Sequence, residues 1–146
     1  PGAIAMVQRS ARHLAVFDLP TMVLRGRHRL DWEAVAFLLE PFTSDIRLAV
    51  VEAVHSMPGE GVSSVFWFGA AWGELLGILS ALGIRTLEVE PATWKTALNV
   101  RADKESSRLR ATGLWPYQSS LWKLKKHHGR AEAVLLAEYG SRITTR

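Results

Sequence analysis

Three side chains have the types and spacing to do chemistry together. Glu52 stands inside "LAVVEAVH" (48–55), where Ile46, Leu48, Ala49, Val50, Val51, Ala53 and Val54 lack the polar alternation of a half-exposed strand. The two-residue period of a strand puts its carboxylate on the face of Val50 and Val54. Burying a carboxylate there costs several kcal/mol unless it is paired, protonated or bound to a cation. Glu132, in "HHGRAEAVLLAEYG", is followed at i+3, i+4 and i+7 by Leu135, Leu136 and Tyr139, so it lies on the apolar stripe of a helix. His128 precedes it by one turn on the same face. Two carboxylates and an imidazole on inward-facing surfaces suit a hard divalent cation, and magnesium in particular takes few protein oxygens and keeps sites for water and phosphate.

Each residue has a plainer reading. Glu52 can be a strand-end carboxylate paired with one of the 18 Lys and Arg residues. His128 can be a helix-capping or DNA-facing imidazole, and a His-x-x-x-Glu spacing alone is weakly specific. The surroundings favour an anionic partner. "KLKKHHGR" (123–130) brings Lys123, Lys125, Lys126 and Arg130 beside the proposed ligands, with Trp115, Tyr117 and Trp122 just upstream. Cations track phosphates and aromatic rings stack on bases, so nucleic acid is the expected partner.

The elements that must position these groups follow from the pattern. "GAIAMV" (2–7) and "LAVFDL" (14–19) flank "QRSAR" as a hairpin, and strand character continues weakly through "TMVLRG" before the charged "RHR". "LDWEAVAFLLE" (30–40) is a helix with Asp31 as N-cap, ended by Pro41. The Glu52 run is a central strand covered on both sides. A long helix starts at Ser63 or Ser64 and ends near Leu82; its glycines at 69, 73 and 77 are expected to form a groove for a close neighbour. "TLEVE" (86–90) is a strand, Pro91 opens a short helix, and "DKESSRLRAT" (103–112) is a polar surface helix. An irregular aromatic and basic stretch leads into a last helix, 129–140, closed by Gly140. Strands interleaved with helices imply an α/β fold, a mixed sheet with helices on its faces.

Composition sets outer limits. The 146 residues suffice for one domain, and 48% apolar with 22% charged residues is ordinary for a globular chain. No apolar run is expected to approach the roughly 18–20 residues that span a bilayer, so no membrane association is expected. The absence of cysteine excludes disulfides and thiolate metal sites and fits a reducing, cytoplasmic compartment. A net charge of +4 favours an anionic partner. No phosphate-cradling Gly-rich loop points to an ATPase.

"VVEAVHSMPGEGVSSVFWFGAAWGELLGILSALGI", "VEPATWKTAL" and "KKHHGRAEAVLLAEYG" closely resemble the phage-type branch of the RuvC-like Holliday junction resolvases, within the ribonuclease H-like superfamily. "GAIAM" resembles the end of the family's first strand and "VFDLPT" its third. The resemblance implies a single nuclease domain over 1–146, dimeric, dependent on Mg2+ or Mn2+, that cuts four-way (branched) DNA junctions symmetrically and needs no small-molecule cofactor. Glu52 matches the family's fourth-strand Glu, Glu132 its last acidic ligand and His128 the partner ligand, while His127 stands where the phage branch commonly has Asp. Residues 55–64 would line the junction cleft, with His55 near the branch point and Ser63 and Ser64 on phosphate. The basic 123–130 segment, with Lys125, Lys126, His127 and Arg130, would hold phosphate too, with Lys95 and Lys104 as further DNA contacts. The family's first strand carries an Asp before Pro-Gly, and this sequence opens at Pro1-Gly2 without an initiator Met. The expectation is therefore an enzyme with an incomplete first strand. A branched-DNA-binding module lacking the Asp, and a related nuclease acting on other branched or flapped DNA, stay open beside it. The resemblance also leans towards a phage or a bacterial host.

Overall fold

The computed structural model describes residues 2–53, 55, 59, 61–101 and 103–144, and of Lys104 the backbone alone. β1 (Ala3–Gln8) and β2 (His13–Asp18) form the expected antiparallel hairpin, in register from Ala3↔Asp18 to Gln8↔His13. β3 (Thr21–Leu24) and β4 (Arg27–Leu30) make a second hairpin. The charged "RHRL" is thus itself a strand; Leu30 is buried while Arg27 and His28 stay exposed. α1 (Trp32–Leu39) starts where expected, with the Asp31 carboxylate accepting the Ala34 N–H at 3.0 Å, and passes into a 3-10 turn containing Pro41.

β5 (Ala49–Glu52) is four residues long and pairs in parallel with β6 (Thr86–Val89), from Ala49↔Thr86 to Glu52↔Val89. The Glu52 strand was expected to be central. Among the described residues it has a ladder on one side only, and its four residues are half-buried. Between these strands runs α2 (Val62–Ala81), and after β6 come α3 (Pro91–Ala97), α4 (Lys104–Leu114, capped by Asp103), two 3-10 segments and α5 (His128–Thr144).

The β1–β2 and β5–β6 pairs form one layer although no hydrogen-bond ladder joins them among the described residues. Ala5, Val7, Val16, Val50 and Val89 point into a core with Trp94, Leu98, Trp122, Val134 and Leu135. Ile4, Met6, Ala49 and Val51, the alternate positions, point into a second core with Val35, Leu39, Leu79 and Ile84. β1 and β5 therefore share the same two faces, with α3, α4 and α5 on one side and α1 and α2 on the other. This is the mixed α/β class expected from the sequence.

Three expectations need correction. Gly140 does not end the last helix, which continues to Thr144; a Cβ at 140 would lie 2.6 Å from Val50 Cγ2, so this glycine allows α5 to cross β5 closely. Gly69, Gly73 and Gly77 receive no neighbour among the described residues, where a Cβ on each would meet nothing within 4 Å. The third concerns apolar length. α2 spans 20 residues with a mean hydropathy of 1.4 over its most apolar window, long and apolar enough by length and composition to cross a bilayer. Its one charged side chain, Glu74, is paired with Arg29.

Candidate metal and nucleic-acid site

Glu52 ends β5 on the Val50 face, aimed at the core beneath α5. Two indoles fix it. Trp94 of α3, fully buried, donates its Nε1–H to Glu52 Oε2 at 2.7 Å, and Trp72 of α2 donates to the Glu52 carbonyl at 3.2 Å. A buried indole N–H needs an acceptor, so each tryptophan gains a partner while the carboxylate gains an orientation. No Lys or Arg pairs with Glu52 among the described residues, so the salt-bridge reading of this residue has no counterpart there. The sequence located Glu52 but not its holders; the signal available was "VEPATWKTAL", whose tryptophan follows the strand next to β5.

Glu132 lies in the second turn of α5, half-buried, with the buried Ser107 hydroxyl of α4 at 3.5 Å from Oε1. Leu135 is fully buried, and Leu136 and Tyr139 pack on the same core, as the apolar stripe predicts. Glu132 likewise lacks a Lys or Arg partner among the described residues. His128 opens α5, and its Nδ1 lies 3.3 Å from the Lys125 carbonyl. If Nδ1 carries the proton and donates it there, Nε2 is left with a lone pair, the form that binds metal.

These donors fit part of a cation site. Two unpaired carboxylates on the same side of the layer are what magnesium takes from a protein that leaves other positions to phosphate and water. A complete protein cage is not assembled: among the described residues, no three His, Cys, Asp or Glu side chains cluster closely enough to hold a metal.

The expected DNA contacts are placed unevenly. Lys125 and Lys126 are exposed in the 3-10 turn that leads into α5. His127 is half-buried there; burial lowers its pKa from the ordinary value, Arg130 and Lys126 add to this, and Asp18 opposes it. Arg130 makes a bidentate pair with Asp18, at 2.7 Å from Nε and 2.6 Å from Nη2, and also donates to the Leu121 carbonyl. That pairing holds the Asp18 carboxyl below its ordinary pKa and raises that of Arg130. Lys95 is half-buried with Nζ 5.3 Å from the Trp94 ring centre, one residue from the group that holds Glu52. The Lys104 side chain lies outside the described residues.

His55 is exposed, and its Nε2 lies 2.9 Å from both carboxylate oxygens of Glu90. Of the expected cleft residues 55–64, positions 56–58 and 60 lie outside the described residues. Ser63 and Ser64 are exposed in the first turn of α2, whose N-cap Gly61 supplies no side-chain acceptor. That leaves first-turn N–H groups open to an anion. Sequence reasoning also missed Glu138, which is buried on α5 and paired with Arg142 at 2.9 Å and Arg9 at 3.6 Å.

No family model matches the chain. Over 91 residues, 61% of its length, it is 32% identical to the Holliday junction resolvase MOC1, chloroplastic, of Chlamydomonas reinhardtii, and it spans about a tenth (10%) of that protein. Among solved structures it is similar to Thermus thermophilus RuvC in complex with a Holliday junction substrate, with a TM-score of 0.48, 16% identity, and coverage of 90% of this chain and 89% of that one. A second Thermus thermophilus RuvC structure gives a TM-score of 0.46 at 18% identity, over 98% and 97% of the two chains. In sequence, then, this stretch of the chain is similar to a Holliday junction resolvase.

Proposed function

We propose that the chain is a single RuvC-like, ribonuclease H-like nuclease domain that resolves four-way DNA junctions by metal-dependent phosphodiester hydrolysis. The observation that carries this reading is Glu52: a carboxylate on an inward strand face, oriented by a buried indole, with no basic partner among the described residues. The sequence similarity to a junction resolvase supports the choice of substrate.

Glu52 and Glu132 would hold Mg2+ or Mn2+, with His128 as the third donor. When bound, such a cation neutralises charge developing on the phosphate oxygens and makes water a stronger nucleophile. The chain's own residues do the rest. Trp94 keeps the Glu52 carboxylate in one orientation, and Ser107 adjoins that of Glu132. Lys125 and Lys126 hold phosphates, as do Ser63 and Ser64 at the open end of α2; His55, already hydrogen-bonded to Glu90, lies near the branch point. A further strand between β1 and β5 would pair with the edge that each leaves unladdered among the described residues, and its inward face would lie beside Glu52, where the family carries its first-strand Asp.

A homodimer accounts for the outer face of α2. Val62 is 87% exposed and Phe66 64%, in line with Gly69, Gly73 and Gly77, and a second copy would cover this apolar stripe. A cytoplasmic setting, in a bacterium or a phage-infected host, is consistent with this function.

The test is cleavage of an end-labelled four-way junction with Mg2+ or Mn2+, beside linear duplex, flapped DNA, an EDTA arm and Glu52→Gln. The expected result is paired nicks near the branch point, lost with EDTA and in the variant. Junction binding without cutting would instead mark a recognition module. Equal cutting of flapped DNA would move the substrate from four-way junctions to branched DNA in general.

A further inference from the structure

The β3–β4 hairpin lies across the strand layer from α5, with Leu30 in the α1–α2 core, and it carries a basic group that the proposed cleavage site does not use. Its turn is the two-residue Arg25-Gly26, with Leu24 paired to Arg27 and both turn residues at positive φ (51° and 72°). This is the hairpin turn that favours Asn-Gly. Arginine in the left-handed region carries a steric cost that asparagine largely avoids. The hairpin's own stability therefore gives no reason for arginine at this position.

The side chains around the turn supply one. Arg25, Arg27, Arg29, Leu24 and Trp67 of α2 line a groove of about 380 Å³. The guanidinium carbons of Arg27 and Arg29 lie 5.6 and 5.0 Å from the Trp67 ring centre. Arg29 is neutralised by Glu74. Arg25 and Arg27 have no carboxylate partner among the described residues, and His28 beside them is exposed. Stacking on an indole orients a guanidinium without removing its charge. The groove thus holds two uncompensated, forked donors that repel each other until an anion with several oxygens bridges them.

We propose that this hairpin tip and Trp67 form a second contact for the DNA phosphate backbone, on the face of the strand layer opposite the 123–130 segment. The inference rests on the DNA-binding reading above and adds a second arm to it. Nucleic acid fits better than an acidic polypeptide because an aromatic ring lies among the cations: Trp67 adjoins Arg27 and Arg29, and Phe68, 60% exposed, follows it on α2. Ser63, four residues before Trp67, extends the same helix face towards the open end of α2.

The experiment is fluorescence anisotropy of a labelled four-way junction in EDTA across a salt series, using the full chain, with thermal unfolding of each variant. Arg25→Asn is the telling substitution, because it relaxes the turn while deleting the charge. The expected result is an unchanged or raised Tm together with weaker binding. In Arg25→Asn/Arg27→Gln, affinity falls about tenfold and the log–log salt slope drops by about 2, roughly one per lost phosphate contact. Lys125→Gln/Lys126→Gln is the reference. If the hairpin pair keeps wild-type affinity and slope while the lysine pair weakens binding, the second contact is refuted and the DNA reading stands. If the wild-type chain does not bind the junction at all, both fall. A change confined to polyglutamate binding, or to the sedimentation coefficient, would give the groove to an acidic polypeptide or to a second copy, and would overturn the proposal.

Discussion

Replacing Trp94 by phenylalanine tests whether the buried indole positions the Glu52 carboxylate. Two losses combine. The Nε1–H···Oε2 bond of 2.7 Å has an ionised acceptor, and such bonds contribute about 1.5–3 kcal/mol. Glu52 is half-buried, so the lower part of that range applies, about 1.5–2 kcal/mol. Trp94 is fully buried, and shrinking its ring leaves a gap that costs roughly 1–2 kcal/mol more. The expected destabilisation is about 2.5–4 kcal/mol by urea unfolding followed by circular dichroism, with an unchanged m-value.

Packing loss alone would also destabilise, so the hydrogen bond is isolated by a cycle with Glu52→Met, which is close in size and has no oxygen. The expected coupling energy is about 1.5 kcal/mol. Under the proposed function Trp94 is a positioning residue. Trp94→Phe should therefore raise the Mg2+ concentration for half-maximal cleavage and lower the rate by about 10–100-fold, as loss of an outer partner of a metal ligand does. Junction affinity in EDTA should not change. A coupling energy below about 0.5 kcal/mol, or an unshifted Mg2+ dependence, would refute the claim that the indole holds the carboxylate for use.

Two further predictions concern the frame around the site. Gly140→Ala gains helix propensity of about 1 kcal/mol but places its methyl 2.6 Å from Val50 Cγ2, on a stiff β-branched side chain. Overpacking of this kind costs about 1–3 kcal/mol, so a net loss near 1 kcal/mol is expected in urea unfolding, and Val50→Ala in the same chain should make the double variant lose less than the sum. The Asp18–Arg130 pair gives a pH signature. Arg130 holds the Asp18 carboxyl below its ordinary 3.8, so the stabilisation is present above that pH and is lost as pH falls through the depressed folded value. The stability difference between wild type and Asp18→Asn should shrink over that acid window; a difference that persists unchanged below the window would show that the pair is not the cause.

What could be read in the sequence was local. Asp31 and Asp103 accept N–H groups at the helix starts where they stand, because a cap needs only its own turn. The first hairpin followed from apolar runs around a short polar loop. The misreadings share one cause, which is that a residue's meaning depended on a distant neighbour. Gly140 looks like a helix stop until Val50 of β5 is placed against it. Gly69, Gly73 and Gly77 look like a groove within the fold, yet α2 packs by its other side, with Leu79 inward. The charged "RHR" shows no strand pattern of its own, and only pairing with β3 makes it part of a strand. Glu138 looks like an ordinary helix-surface residue until Arg9 and Arg142 close over it.

Glu52 was legible for the opposite reason, since an acidic residue within its own apolar run is a local anomaly. The run could not say what compensates it. A lysine or arginine would have made it structural, and the fold had basic groups to give: Arg9 and Arg142 go to Glu138, Arg130 to Asp18, Arg29 to Glu74. At Glu52 the fold supplies indole donors instead, one to the carboxylate and one to the carbonyl. An indole N–H orients a carboxylate oxygen but brings no charge to neutralise it. Among the described residues the negative charge therefore stays available on the face that α5 covers, the same side of the layer as Glu132. A charge held in place but left unneutralised favours a bound cation, and this distinguishes Glu52 from the paired carboxylates elsewhere in the fold.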